Sequence, residues 1–125
     1  MIAALPLFAV SSHKLVALDD TGLESFFHSW RGASGRRYIC SVYDIDEAPQ
    51  FDLARAVVAA VRRNAAGTEI TFTFQPAADG SDWRYWAEKA RRAGASEFHV
   101  HLLAGEKAQR DFIARDLTPA LRRAA

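Results

Sequence analysis

Cysteine is almost missing from this sequence: Cys40 stands alone among 125 residues. An internal disulfide is excluded, so the fold must rest on its core, as expected for a reducing, cytoplasmic compartment. Long apolar runs are missing too. Charges interrupt every candidate before the ~20 residues that a membrane-spanning helix needs. The apolar opening Met1–Val10 has no preceding Lys or Arg and no small-x-small cleavage pattern, so it does not read as a secretory leader. Neither charge sign dominates. Sixteen basic residues face fifteen acidic ones, for a net +1, which argues against a partner bound mainly through counterion release, such as duplex DNA.

What remains is the balance of an ordinary globular chain, half apolar and one quarter charged. Its length suits one domain over residues 1–125, able to bury roughly two-thirds of the surface its unfolded form exposes. Arginine outnumbers lysine thirteen to three, which is read as coding bias and not as a binding signal.

Hydrophobic periodicity suggests four strand-then-helix units. Lys14–Leu18 reads as a strand, and the capping box Thr21-Gly22-Leu23-Glu24 opens a helix toward Trp30 and Gly32, with Leu23, Phe26, Phe27 and Trp30 as its buried stripe. Arg37–Ile45 reads as a strand, followed by an acidic turn at Asp46, Glu47 and Pro49. Asp52 then caps a helix to Asn64, with Leu53, Val57, Val58 and Val61 inward. Glu69–Gln75 alternates as a strand, Ile70, Phe72 and Phe74 against Thr71 and Thr73. A helix follows over Asp82–Ala93, capped by Ser81 and stopped by Gly94. Glu97–Leu103 is the fourth strand, and Glu106–Leu117 a helix with Phe112, Ile113 and Leu117 inward. Thr118-Pro119 starts one further turn.

Four such units imply crossovers, hence an α/β fold with a largely parallel four-stranded sheet and helices packed on it. The alternation in the last two strands is at odds with a sheet buried on both faces. It leaves open a two-layer α+β sandwich with one open sheet face.

The sharpest chemical pattern is Glu97-Phe98-His99-Val100-His101. A period of two puts Glu97, His99 and His101 on one strand face, about 7 Å apart, where two imidazoles and a carboxylate could meet one cation, zinc suiting them best. The competing reading makes both histidines half-buried sheet residues bonded to Thr71, Thr73 or a covering helix. A second pattern, Ser34-Gly35-Arg36-Arg37-Tyr38, offers Arg36 and Arg37 as an anion-binding pair at a turn, though it lacks the order of a phosphate-binding loop. The competing reading pairs these arginines with Asp44, Asp46 or Glu47. Trp83-Arg84-Tyr85-Trp86, with Trp30, Arg31 and Tyr38, has the aromatic and arginine mixture that stacks on single-stranded bases. Trp83 and Trp86 are three apart, however, and read first as core. Cys40 lies mid-strand, the usual place of an inert thiol.

Two classes of function follow. The first is a non-enzymatic interaction or regulatory domain that uses the partly covered sheet face, or the aromatic first helix, to form a homodimer or meet a protein partner. No cofactor is expected in that case. The second is a small metal-assisted or acid/base enzyme centred on His99, His101 and Glu97, with Thr71 and Thr73 orienting the imidazoles and Arg36 or Arg37 holding an anionic substrate.

Overall fold

A computed structural model of the protein describes residues 11–13 and 26–118. The sheet is antiparallel throughout, which overturns the expected parallel sheet of four β-α units. Its strands are β1 (Ser11–His13), β2 (Phe27–Arg31), β3 (Arg37–Asp44), β4 (Val57–Asn64), β5 (Gly67–Phe74) and β6 (Glu97–His101), in the order β1-β2-β3-β6-β4-β5. The edge strands β1 and β5 touch, so the sheet curls into a half-barrel. Among the described residues two α-helices complete it, α1 (Trp83–Arg92) and α2 (Lys107–Leu117). Among the described residues no helix is long and apolar enough to cross a membrane.

One expected helix and the end of another are strands, and each correction has a physical cause. Val57 to Val61 are all buried because β4 lies inside the sheet with a helix-bearing layer on either face. A continuous apolar run of this length fits a helix and a doubly covered strand equally well. Asp52 does cap, but only the 3-10 turn Leu53–Arg55, where its side chain accepts from the Ala54 amide. β4 then joins β5 through a hairpin over Ala65 and Ala66, and without a helix between them the crossover disappears. Phe27–Arg31, expected as the end of a helix, is β2, paired with β3 on one side and β1 on the other. The Lys14–Leu18 strand, the Thr21–Glu24 capping box, Leu23 and the turn at Pro119 lie outside the described residues.

The other elements fall close to expectation. α1 stops before Gly94, whose φ of +85° suits glycine, but Asp82 and not Ser81 sits at its N-cap. α2 opens with reciprocal bonds between Glu106 and Gln109.

A bulge in β5 decides which face each side chain meets. Ala60 pairs with Phe72 and Val61 with Ile70, so Thr71 is the extra residue and donates its hydroxyl to the Ala60 carbonyl. Phe72 and Phe74 therefore pack under α1, whereas Ile70 joins the core under α2. All three had been expected on one face. The α1 side is dry and aromatic, with Phe74 stacked on Trp86 at 4.5 Å and Trp83 edge-on to Phe98. The α2 side mixes Val57, Ala59, Val61, Ile113 and Leu117 with polar groups. Each face carries a helix, so neither is the open face of the α+β alternative.

The doubly covered position of β4, between β6 and β5, makes a test. Ala59 and Ala60 point to opposite faces and are 1% and 0% exposed. Ala59→Asp and Ala60→Asp should each cost more than about 3 kcal/mol in denaturant unfolding, or prevent folding, because either buries an unpaired charge. A midpoint at the wild-type value for either variant would contradict the doubly covered strand.

Candidate functional site

The polar residues of the α2 face form two groups. Glu97, His99 and His101 pair with Val61, Ala59 and Val57 of β4, so they share one face, on which His99 and His101 are buried and Glu97 is half-buried. The Trp30 indole donates to His99 Nδ1 at 2.9 Å. This fixes the tautomer, leaving Nε2–H to meet Glu97 Oε1 at 2.9 Å. Arg63 Nε closes the line at 2.8 Å from Glu97 Oε2. The His28 ring lies 5.0 Å from Trp30 and 4.9 Å from His99.

Burial pushes the His99 imidazole below its usual range, against the opposing pull of Glu97. The contact between them is thus a hydrogen bond from a neutral ring to a carboxylate. Burial alone would raise the Glu97 carboxyl, but bonds from His99 and Arg63 and the Arg63 charge outweigh it and hold the group at about 2. Both ring nitrogens of His99 are engaged, and His101 Nδ1 is 2.9 Å from the Ile39 carbonyl, on a different line. The three residues named as zinc ligands share a face without converging. Among the described residues no group of three His, Cys, Asp or Glu side chains is placed to hold a metal ion. Thr71 and Thr73 do not orient the imidazoles, because their hydroxyls donate to the Ala60 and Ala114 carbonyls.

The second group is built on Asp116, a carboxylate 7% exposed on the inner side of α2. Its Oδ1 accepts from the Ser34 amide at 2.8 Å. Its Oδ2 accepts from the Ser34 hydroxyl at 2.6 Å and the Tyr38 hydroxyl at 2.7 Å, and its backbone carbonyl accepts from the Ala33 amide. The turn between β2 and β3 is thereby fastened to α2. Gly32 permits the approach, since a Cβ there would run into the Asp116 carboxylate. Burial, then the bond to Asp116, pushes the Tyr38 phenol well above its usual range.

Beside this clamp lies a cleft of about 340 Å³ lined by Arg36, Tyr38, His101, Leu103, Gln109 and Phe112, among others. The Arg36 guanidinium stands 4.8 Å over the Phe112 ring and forms no ion pair among the described residues. With Nδ1 donated to Ile39, Nε2 is the His101 nitrogen left for a ligand. Leu103, 77% exposed, forms an apolar lip.

Of the sequence-derived candidates, the structure brings Arg36 and His101 to one cleft. Arg37 has the opposite strand parity to Tyr38 and does not line it. Neither arginine pairs with the acidic turn, where Asp46 meets Arg91 and Glu47 accepts from the Asp44 amide. The aromatic and arginine set is divided between faces, Trp30 under α2 and Trp83 and Trp86 on α1 against the other face, so it forms no common stacking surface. Burial pushes the Cys40 thiol up to about 12, leaving it without thiolate character. Sequence reasoning passed over Asp116 and took Phe112 for core. The available signal was one acidic residue on the same helical stripe as Ile113 and Leu117.

Compared with known proteins, the chain matches no family model, no curated protein and no solved structure.

The pair of half-buried Glu97 and buried His99 makes stability depend on pH. Below pH ~6.5 the unfolded chain takes up an imidazole proton that folded His99 resists, so stability falls with acidification. Glu97 adds a second loss as pH falls from the ordinary 4.5 toward about 2. Thermal unfolding against pH should therefore decline in two stages, and His99→Gln should remove the first stage while retaining part of the second. A wild-type melting temperature that rises between pH 7 and 5 would contradict this assignment.

Proposed function

We propose that the chain is a non-enzymatic binding or regulatory domain whose recognition site is the cleft between α2 and the start of β3. The observation that carries this reading is the Arg36 guanidinium, held over Phe112 at the cleft mouth with no carboxylate partner among the described residues, beside the uncommitted Nε2 of His101. A small concave site with apolar walls and a few convergent polar groups is the usual form of a ligand pocket. At about 340 Å³ it lies at the small end of the ~300–1,000 Å³ range.

The acid/base reading has less support. A general acid or base must reach its substrate within hydrogen-bond distance, and His99 is 0% exposed with both nitrogens engaged. The homodimer expectation rested on a partly covered sheet face or an aromatic first helix; each sheet face carries a helix, and Phe27–Arg31 of that expected helix is β2. A second copy is therefore kept as the rival occupant of the cleft.

The test is a small-molecule library monitored by NMR, with sedimentation at the same protein concentration. Compounds should shift the Tyr38, His101 and Phe112 resonances of a monomer and be recovered chemically unchanged. Resonances that shift with protein concentration as a dimer forms, or compounds that bind only elsewhere or are transformed, would overturn the reading.

A further inference from the structure

The chemistry of the cleft also narrows what it takes. We infer that its ligand is a small organic monocarboxylate with an apolar body and a hydrogen-bond donor. This inference rests on the cleft being the recognition site.

The cleft supplies one fixed cation. A guanidinium held 4.8 Å over the Phe112 ring and in no ion pair among the described residues keeps N–H groups for a ligand, and its planar fork matches a carboxylate in bidentate fashion. A second anionic charge would find no second guanidinium or ammonium among the cleft residues. It would also lie near the Asp116 carboxylate, which is 2.7 Å from the hydroxyl of Tyr38, itself a cleft residue. A monoanion is thus favoured over a phosphate dianion. Opposite the cation, His101 donates Nδ1–H to Ile39, so in the neutral ring Nε2 is an acceptor and calls for a donor on the ligand. Tyr38 already donates to Asp116 and adds only acceptor capacity. Gln109, the other polar lining residue, accepts with Oε1 from the Glu106 amide and keeps its NH2 as a further donor for a carboxylate. The remaining walls, Leu103, Phe112 and Ile113 with two alanines, call for an apolar body, and the exposed Leu103 is the residue that such a body would cover.

The probes are benzoate, its three monohydroxy derivatives, the neutral isostere benzamide and the dianion phenyl phosphate, titrated by NMR against the full chain. Benzoate should bind about tenfold or more tightly than benzamide, at least one hydroxybenzoate should exceed benzoate, and phenyl phosphate should be weaker. Arg36→Gln, at an exposed position, should erase the preference for the carboxylate. Arg91→Gln, which breaks a surface pair with Asp46, serves as the control and should leave it unchanged. If benzamide or phenyl phosphate shifts Tyr38, His101 and Phe112 as well as or better than benzoate, the ligand class is overturned while the cleft stands. If none of the probes shifts those residues and the library does not either, both conclusions fall.

Discussion

The Asp116 carboxylate is the point on which the rest of the α2 side depends. It is buried with no cation bonded to it among the described residues, and three donors from one short segment satisfy it: the Ser34 amide, the Ser34 hydroxyl and the Tyr38 hydroxyl. An acceptor buried in this way is costly if its donors are lost, so the turn between β2 and β3 and the helix α2 are bound to one geometry. That geometry brings Arg36 over Phe112 and forms the cleft between them. The small residue Gly32 is part of the same arrangement, as the only side chain size that lets the turn approach the carboxylate.

The two faces of the sheet divide the labour. Under α1 the packing is aromatic, Phe74, Phe98, Trp83 and Trp86 supplying most of the contact. Such rings bury large area and fix their neighbours' orientation. Under α2 the core is interrupted by a continuous polar line from Trp30 through His99 and Glu97 to Arg63. Each internal member of that line has its hydrogen-bonding capacity met, the condition under which buried polar groups specify a structure instead of weakening it. His99 therefore belongs to the scaffold, whereas His101, two residues along, keeps one nitrogen for the cleft.

How far the sequence could be read follows from this division. The alternation of Glu97 to His101 placed three polar side chains on one face, and the structure has them there. The stops at Gly94 and the start at Glu106 were local, chain-adjacent signals and marked α1 and α2 closely. Val57 to Val61 failed because burial on both faces erases the period that separates a strand from a helix. The bulge at Thr71 could not be anticipated, since it depends on which strand lies opposite β5. Arg36 was visible as a cation at a turn, but its partner Phe112 is seventy-six positions away, and the two meet only where α2 is docked on the sheet and fastened to the turn through Asp116.

The most direct measurement is the nuclear Overhauser contact between the Arg36 side chain and the Phe112 ring, in the native chain and in Asp116→Asn. The account predicts a clear contact in the native protein that weakens strongly in the variant, as the turn loses part of its attachment to α2. A contact of equal strength in both, or none in the native chain, would contradict the claim that Asp116 positions Arg36.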